Sequence, residues 1–324
     1  MKVLVTGAGA LLGQGIIHSL RRSSLRPYII SVDPSSLSAG LYWTDRPHLV
    51  PLASDPHYID HLRELLQIEK PDAVLVGTDL ELPIFAEHRG QLEGEFSTHV
   101  LVSEPHVVDT ANDKYKTYEF LRDAGFDPPA SCLPGEESSL IDRVGFPLIV
   151  KPRIGARSVG VGLVRDRSEL RSALSRPGGL IIQECAGPED QEYTASALVF
   201  EGRCRATIVM RRDLRDGNTY RAYVEEFPDL NRAVRRLGEA LRPYGPANFQ
   251  FRVNREGRVK VFEINARFSG TTPLRAHAGF NEIEMCLRHV LLGQPLEQPM
   301  LEEMTILRHW SETVVRPGDL RAIT

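Results

Sequence analysis

Polar residues at alternate positions in the C-terminal part of the chain could hold a divalent cation beside an anion. In ANFQFRVNREGRVKVFEINARFSG, two predicted strands are joined by the turn 254–257, and this hairpin places Gln250 opposite Glu263. Glu263 and Asn265 share a face, because side chains alternate along a strand. Carboxylate and carboxamide oxygens suit Mg²⁺. Arg267, two residues further on, would stabilise charge on a transferring phosphoryl group.

The apolar residues of this strand explain why a cation is needed. Alternation directs Phe262 and Ile264 to the face opposite Glu263. An uncompensated carboxylate in such a strand would cost several kcal/mol. The alternative interpretation of the same residues is a surface salt bridge between Glu263 and Arg267.

A lysine and a glycine-rich loop could bind phosphate upstream of this hairpin. In FPLIVKPRIGARSVGVG a predicted buried strand ends at Lys151, and the loop 154–162 follows with Gly155, Gly160 and the hydroxyl of Ser158. Glycines let backbone N–H groups approach phosphate oxygens, and the lysine supplies a point charge. A plain hairpin is the alternative for this segment taken alone.

The stretch IIQECAGPEDQEY could bind a nucleoside. A predicted strand enters a polar hinge at Gln183, Glu184 and Cys185, and further acids follow at 189–190 and at Glu192. Such a hinge could read a base through backbone groups and hold ribose hydroxyls with carboxylates. Solvated acidic turns are the alternative.

The N-terminal stretch VLVTGAGALLG raises a competing hypothesis, dinucleotide binding. Its strand leads into Gly7, Gly9 and Gly13, then into a predicted helix and a strand ending at Asp33, where a ribose-binding acid would lie. The glycine spacing is one residue longer than the dinucleotide fingerprint, and Ala10 stands where reductases and epimerases carry a second glycine. The chain also lacks a Tyr-x-x-x-Lys pair for proton transfer. An NAD(P)-dependent oxidoreductase or epimerase is therefore the less favoured hypothesis.

Composition argues against several classes of protein. The 324 residues are 42% hydrophobic and 25% charged, and the net charge of -4 gives no argument for nucleic-acid or membrane binding. No apolar run approaches the roughly 20 residues of a membrane span, and the N-terminus lacks the pattern of a secretory signal. The four cysteines form no C-x-x-C pair. We therefore expect a cytoplasmic protein.

Secondary-structure patterns assign the motifs to a mixed α/β and α+β architecture. Residues 1 to about 105 alternate predicted strands and helices, which favours a parallel sheet with helices on both faces. An amphipathic helix is predicted over 109–124, a compact α/β segment follows it, and the strands from residue 193 onward are antiparallel. The predicted domains are 1–108, 109–185 and 186–324.

These motifs, in this order, resemble the ATP-grasp superfamily over almost the whole chain, and most nearly its small carboxylate–amine ligases and carbamoyl-phosphate-synthase-like members. The resemblance implies a Rossmann-like pre-ATP-grasp domain, which opens with the glycine turn, followed by a two-lobed ATP-grasp fold. It also implies the ATP-binding residues, which are Lys114 and Lys151 on the phosphates, Ser158, Val159 and Gly160 in the loop that closes over them, and Glu184, the Cys185 backbone and Glu192 on adenine and ribose.

The resemblance further implies the metal site and the catalytic residues. Glu263 and Asn265 would bind Mg²⁺ with Gln250, and Mn²⁺ is a substitute ion. Arg267 would steady an acyl phosphate and its transition state, with Lys151 as the second catalytic residue. Many ligases carry an acid at the position of Gln250, although carbamoyl-phosphate synthases also carry glutamine there. A neutral ligand weakens one metal site, so the number of ions is left open.

The implied reaction is ADP-forming ligation: ATP phosphorylates a substrate carboxylate to an acyl phosphate, and an amine then displaces phosphate. The alternatives are carbamoyl-phosphate-synthase-like phosphorylation of a small carboxylate and a non-catalytic nucleotide-binding regulator. The partners would be a small-molecule carboxylate and an amine, without nucleic acid or membrane. Related enzymes are often dimers, so we include a homodimer among the expectations.

An arginine-rich region supplies candidates for binding the substrate carboxylate. Residues 201–275 contain fifteen Arg and one Lys against nine acids. Guanidinium groups suit a carboxylate because of their fork geometry, although solvated surface arginines are the alternative. The candidates are Arg211, Arg212, Arg221 and Arg275.

Overall fold

The N-terminal part of the chain forms a parallel sheet. The computed structural model describes residues 1–155, 159–320 and 323. Its first five strands are β1 (Lys2–Val5), β2 (Tyr28–Asp33), β3 (Arg46–Leu49), β4 (Ala73–Leu75) and β5 (His99–Leu101), connected by α1 (Leu11–Arg22), a 3-10 helix (Ala39–Trp43), α2 (Tyr58–Glu69) and α3 (Leu82–Phe96). The strands pair in parallel in the order β3-β2-β1-β4-β5. The predicted parallel sheet is confirmed, and β3 adds an edge strand that the sequence pattern did not indicate.

Two helices, not one, connect this sheet to the next. They are α4 (Pro105–Asn112) and α5 (Lys114–Asp123), so the single helix predicted over 109–124 is wrong. The backbone of Asp113 is extended, and its carboxylate accepts a hydrogen bond of 2.8 Å from the N–H of Tyr115. Asp113 thus ends α4 and caps α5.

A small antiparallel sheet follows. Its elements are β6 (Ser131–Cys132), α6 (Glu137–Val144), β7 (Leu148–Pro152), β8 (Gly162–Val164), α7 (Arg167–Leu174) and β9 (Leu180–Glu184). The strand order is β6-β9-β7-β8. Leu148, Val150 and Ile182 of the sheet pack with Leu140 and Leu170 of the two helices. The core of this small sheet thereby fixes the position at which β7 ends.

The C-terminal part forms a larger antiparallel sheet, as predicted. After a 3-10 helix (Glu189–Gln191), its elements are β10 (Glu192–Phe200), β11 (Arg203–Arg215), β12 (Asn218–Val224), α8 (Pro228–Leu241), β13 (Gly245–Val253), β14 (Val259–Asn265), α9 (Thr272–His277), α10 (Glu282–Leu292), β15 (Met304–Leu307) and α11 (Pro317–Leu320). The strand order is β14-β13-β10-β11-β12-β15. Helix α8 packs closely on β10. The backbone of Gly238 lies so near the sheet that a Cβ added there would be 3.0 Å from the methyl of Ala197.

One extra residue in β14 changes the side-chain alternation. Gln250 pairs with Glu263, but the next residue, Phe251, pairs with Val261, so Phe262 is the bulged residue. Ile264 and Val261 therefore both face the core, although they are three residues apart. The prediction that Phe262 points away from Glu263 is wrong, because the bulge turns both side chains to the same cleft.

The N-terminal domain and the larger sheet share one apolar core. Ile16 of α1 belongs to the same cluster as Phe268 and Ile283 of the C-terminal part. Helix α1 lies close to α9. A Cβ added at Gly15 of α1 would be 3.1 Å from Cδ of Pro273 in α9. The three sheets lie within residues 2–101, 131–184 and 192–307. The domain boundaries at 108 and 185 stay predictions.

The cysteines and the helices were compared with what disulfide formation and membrane insertion would require. The four cysteines are free, and burial raises the pKa of Cys132 and of Cys204 to about 11, so these two thiols are poor nucleophiles. Within the described ranges, every helix is too short or too polar to cross a bilayer.

Candidate active site

Two adjoining cavities lie between the sheets. The small cavity, of about 190 Å³, opens between β7, β9 and the larger sheet, and the large cavity, of about 770 Å³, opens between the N-terminal domain and the larger sheet. Both are lined by Lys114, Gly155, Arg212, Gly217, Gln250 and Glu263. A ligand in one cavity would therefore meet a ligand in the other at these residues.

The small cavity has apolar walls and a polar rim. Ile149, Val161, Leu214 and Phe262 line it, and the hinge of residues 184–186 borders it. Apolar walls with a few polar groups are typical of small-molecule sites, and a flat base would fit between these side chains. The predicted hinge thus lies at the cavity.

The carboxylate of Glu184 is held by the protein. It accepts a hydrogen bond of 2.9 Å from the N–H of Ala130, and the N–H of Glu184 donates to the carbonyl of Ala130. Lys260 also lies 3.8 Å from this carboxylate. Backbone groups of the hinge, such as those of Cys185, are therefore better placed than this carboxylate to contact a ligand.

Lys151 lies buried at the floor of the small cavity. Its Nζ donates to Oε1 of Gln183 at 2.8 Å and to the carbonyl of Phe262 at 3.3 Å, which joins β7 to the bulge of β14. Burial lowers the pKa of Lys151 to about 8, and the nearby charge of Glu263 acts in the opposite direction. A phosphate beside this amine would favour its charged form.

Lys114 and the glycine loop lie next to Lys151. Nζ of Lys114 donates to the carbonyl of Gly155 at 2.7 Å, and Val159 lines the small cavity. Gly160 has φ 77° and packs on Pro152, whose Cγ would lie 2.9 Å from an added Cβ. Ser158 lies outside the described residues. Gly155, Val159 and Val161 of this segment line the small cavity, where backbone N–H groups could contact a phosphate chain.

A group of charged side chains closes the side of the small cavity. Glu192 is almost fully buried and accepts from both Arg212, at 2.8 Å, and Arg252, at 2.9 Å. Arg212 also donates to Oε1 of Gln250 at 2.6 Å. Glu192 is thus paired with arginines of the protein, and its predicted contact with ribose would share this carboxylate with them.

The predicted metal residues come together around one carboxylate oxygen. Oε1 of Glu263 accepts from Nε2 of Gln250 at 3.3 Å and from Nδ2 of Asn265 at 3.0 Å. The two amides therefore present nitrogen to Glu263, and the oxygen of Gln250 faces Arg212. Among the described residues, no hydrogen bond reaches Oε2 of Glu263, and Glu263 lines both cavities.

This donor set suits one hard cation better than two. Within the parts of the chain that are described, no three His, Cys, Asp or Glu side chains converge as a metal site. Mg²⁺ is usually held by one or two carboxylates together with phosphates and water. Glu263 fits that arrangement, whereas the amide oxygens of Gln250 and Asn265 already accept hydrogen bonds from Arg212 and Arg267.

Arg267 does not pair with Glu263. It forms a two-pronged ion pair with Asp79, with distances of 2.6 Å and 3.1 Å, and donates to Oδ1 of Asn265 at 2.9 Å. The alternative of a surface salt bridge between Glu263 and Arg267 is therefore wrong. Arg267 lines the large cavity next to Glu263, where it could contact a phosphoryl group.

The other candidate arginines differ in position. Arg212 lines both cavities. Arg211 and Arg221 lie outside both cavity walls, over Tyr223 at 4.0 Å and beside Asp213 at 3.6 Å respectively. Arg275 has no exposed surface, because it is enclosed in the core with Glu282 at 3.1 Å. The proposed substrate contacts of these three residues disagree with the structure.

Sequence reasoning missed Arg252, Asp79 as partner of Arg267, and Arg308. Arg252 follows Gln250 by two residues on β13, so strand alternation indicates the same face and was a usable signal. Asp79 lies in the predicted crevice of the first sheet, but its partner Arg267 is 188 residues further along the chain, so no local pattern indicates their contact. Arg308 carries no local motif at all.

The glycine turn of the N-terminal domain is filled by protein. A Cβ on Gly9 would lie 2.2 Å from Oγ of Ser38, and Asp33 accepts hydrogen bonds from the N–H of Gly9 and from Ser38 at 2.7 Å and 2.5 Å. The carboxylate that would bind a dinucleotide ribose is therefore used inside the domain. Tight packing accounts for these glycines.

Comparisons with known proteins agree with this geometry. Residues 181–313 match the family described as ATP-grasp in the biosynthetic pathway with Ter operon, and residues 3–100 match the PylC-like N-terminal domain. The N-terminal section of the carbamoyl phosphate synthase large chain of Methanopyrus kandleri is 24% identical over 331 residues, which cover 92% of this chain and 58% of that protein. The chain spans only about 30% of several full-length carbamoyl phosphate synthase large chains.

Solved structures share the fold at low identity. An N5-carboxyaminoimidazole ribonucleotide synthetase in complex with ADP has a TM-score of 0.76 and 15% identity, and the match covers 94% of this chain and 81% of that one. An L-amino acid ligase from Bacillus licheniformis has a TM-score of 0.68 and 19% identity, covering 91% and 75%. The fold is thus that of ATP-grasp enzymes. The chain carries an ATP-grasp domain, matched over residues 181–313, and a PylC-like N-terminal domain, matched over residues 3–100.

Proposed function

We propose that this protein is an ATP-dependent, ADP-forming carboxylate–amine ligase that works with Mg²⁺. One observation carries the proposal: Nζ of Lys151 lies 3.3 Å from the carbonyl of Phe262, directly before Glu263. A buried cation from the small sheet and a carboxylate from the larger sheet thereby meet across one cavity. Phosphates bound there would contact the lysine directly and the carboxylate through a divalent ion.

The chain's own residues would act by positioning and charge, as phosphoryl transfer requires. Lys151 and Lys114, with the loop 155–162, would hold the phosphates, and the hinge at Cys185 would hold adenine. Mg²⁺ bound to Glu263 would neutralise charge on the phosphates, with Asn265 and Gln250 as further contacts. Mn²⁺ would fit the same oxygen donors.

The large cavity would receive the acid and the amine. Arg267 lines it beside Glu263 and would stabilise an acyl phosphate formed when the substrate carboxylate attacks the γ-phosphate. The amine would then displace phosphate. Small-molecule acids and amines are therefore the proposed partners, while the homodimer stays a prediction that light scattering checks.

The cavity size favours ligation over carbamoyl-phosphate-type chemistry. A volume of about 770 Å³ falls in the range of drug-sized ligand pockets and exceeds what a small one-carbon acid needs. Carbamoyl-type phosphorylation of a small carboxylate is the second candidate, favoured by the relative in Methanopyrus kandleri. A non-catalytic nucleotide-binding regulator could use Lys151 and Glu263 to bind Mg²⁺ and nucleotide, but it would leave Arg267 at the large cavity without a use.

The test is release of ADP and phosphate with Mg²⁺, ATP and a panel of acids and amines. We expect release that needs both an acid and an amine, and its loss in Glu263→Ala. The exposed Glu226→Ala is the matched control and should keep the activity. Turnover that needs bicarbonate alone would support the carbamoyl alternative, and full turnover by Glu263→Ala would contradict the proposal.

A further inference from the structure

Arg308 is a cavity-lining guanidinium without a carboxylate partner. It directly follows the edge strand β15 and lines the large cavity but not the small one. Its Nη1 donates to the carbonyl of Thr219 at 3.3 Å, and its Nη2 donates to the carbonyl of Gly270. No carboxylate of the described residues forms an ion pair with it, and the hydrogen-bond acceptors of its guanidinium among these residues are two backbone carbonyls.

The other cations of the large cavity are differently occupied. Arg267 is paired with Asp79, and Arg212 is paired with Glu192. Lys114 donates to a carbonyl of the glycine loop and lies where the two cavities meet. Burial lowers the pKa of Arg308 with no carboxylate acting against it, whereas at Arg275 the lowering of the pKa by burial is opposed by Glu282. Arg308 is therefore a partly desolvated cation that still lacks an anion.

The surroundings of Arg308 also favour an anion. Arg308 donates to the carbonyl of Gly270, and Gly270 lies against Leu11 at the start of α1. A Cβ added at Gly270 would be 2.9 Å from the Leu11 side chain. Residues 9–12 line the same cavity, and the first turn of α1 contains no acid and no side-chain cap. The N-terminus of a helix favours negative charge. The N-terminus of α1 therefore adds to the attraction that Arg308 exerts on an anion in the large cavity.

We propose that Arg308 binds a carboxylate that does not react, on one of the two molecules that the enzyme joins. This inference rests on the proposed ligase function. The reacting carboxylate has to meet the phosphate near Lys114 and Glu263, where the cavities join, whereas Arg308 lies on a wall that the small cavity does not share. The substrate class is therefore an amino acid as amine, or a dicarboxylic acid, and the product keeps a free carboxylate.

The experiment compares matched pairs of compounds on the full chain with Mg²⁺ and a non-hydrolysable ATP analogue. The pairs are L-amino acids against their amides, succinate and glutarate against their monoamides, and glycine against aminomethylphosphonate. Ligand-induced stabilisation against heat, measured at a series of concentrations, gives the affinities. ADP release with the same compounds gives the kinetic counterpart.

We expect the carboxylate form to bind about 10- to 100-fold more tightly than its amide, as for loss of a charged hydrogen bond. In Arg308→Gln this ratio should fall to near one, and Arg308→Lys should restore part of it. The exposed Arg255→Gln is the matched control and should keep the full ratio. If Arg308→Gln does not fold, the ratio in the unaltered protein and in Arg308→Lys decides the question.

Several outcomes would overturn the inference. They are equal binding of carboxylates and amides, an unchanged ratio in Arg308→Gln, binding of the phosphonate alone, or no carboxylate-dependent binding across the panel. Failure of the ligase proposal looks different, because ADP release would then ignore every acid and amine. Ligation that proceeds equally well with the amides would refute the role of Arg308 and leave the ligase function intact.

Discussion

Burial of the Lys151 amine destabilises the ligand-free protein. Its amine lies among β7, β9 and the bulge of β14, and its hydrogen-bond partners among the described residues are an amide oxygen and a carbonyl. A buried ammonium is destabilising, and the nearby charge of Glu263 offsets only part of this cost, because the pKa of Lys151 stays lowered to about 8. A bound triphosphate would add negative charge beside the amine, so part of the binding energy would come from relief of this cost.

The stability of the ligand-free protein should show this cost as a pH dependence. The folded-state pKa of about 8 lies below the ordinary value of 10.5, so between these values the unfolded chain holds a proton that the folded chain has released. The free energy of unfolding of the unaltered protein should therefore rise with pH relative to Lys151→Met, by at most about 1.4 kcal/mol per pH unit. Urea denaturation from about pH 7.5 to about pH 10 measures the difference. The exposed Lys70→Met is the control, and a constant difference for Lys151→Met would contradict the prediction.

At the residue scale, the sequence predicts contacts within a hairpin and misses contacts between distant segments. Gln250 opposite Glu263 follows from the turn and from strand alternation. The same alternation fails at Phe262, because no residue type marks a bulge reliably. Arg275 shows the other limit: composition indicates a positive region, but it does not reveal that this guanidinium is enclosed with Glu282.

At the scale of elements, Asp113 links the start of α5 to the end of β7. Its carboxylate accepts from the N–H of Tyr115 and forms a two-pronged pair with Arg153, with Nη2 at 2.5 Å. Burial alone would raise the pKa of this carboxyl, but hydrogen bonds from Arg153 and from the backbone outweigh it and lower the pKa. One side chain thereby caps the helix that carries Lys114 and holds the strand end that leads into the glycine loop.

Replacing Asp113 by Asn separates these two tasks. Asparagine caps a helix as well as aspartate does, so Asp113→Asn should lose mainly the charge pairing with Arg153, about 1–2 kcal/mol of unfolding free energy at neutral pH. Asp166 is the matched control, since it caps α7 through the N–H groups of Ser168 and Glu169 without an arginine. Asp166→Asn should change stability by less than about 0.5 kcal/mol.

Acid should remove the difference between Asp113→Asn and the unaltered protein. The lowered pKa means that the charged carboxylate contributes fully above its ordinary value of 3.8 and loses that contribution as the pH falls through the lowered value. Denaturation curves at neutral and acidic pH measure this. Equal losses of unfolding free energy at neutral pH in Asp113→Asn and Asp166→Asn would contradict a stabilising charge pair between Asp113 and Arg153.

The elements that the sequence indicates poorly are edge strands. β3 contains Pro47 and two polar neighbours, a composition that favours a loop, yet proline is tolerated at the edge of a sheet. β15 has alternating half-buried residues and follows a long irregular stretch. The central strands, by contrast, are apolar runs, because both faces of the first sheet are covered.

At the scale of the whole molecule, the pair of Asp79 and Arg267 connects the N-terminal domain to the larger sheet. Asp79 follows β4, and Arg267 follows β14. The two segments meet beside the large cavity. The pair therefore sets where Arg267 lies relative to a substrate, and it has no contact with the small cavity.

Breaking this pair should impair turnover more than nucleotide binding. In Asp79→Asn we expect ADP release at saturating ATP to fall about 10- to 100-fold, because Arg267 loses its orientation. The affinity for the ATP analogue should change by less than about 2-fold. Asp72→Asn is the matched control, because Asp72 also accepts a hydrogen bond, from the N–H of Lys2, but within its own domain. A large loss of analogue affinity in Asp79→Asn, with turnover otherwise kept, would contradict this role.

The extra residue in β14 has a consequence for comparing such chains. A homologue with a regular strand needs one residue fewer between the core position of Val261 and the carboxylate at position 263. An ungapped alignment would then equate that homologue's carboxylate with Phe262 and report it as lost. Alignments through this strand should therefore permit a single-residue gap at position 262, so that an intact metal ligand is not mistaken for a degenerate one.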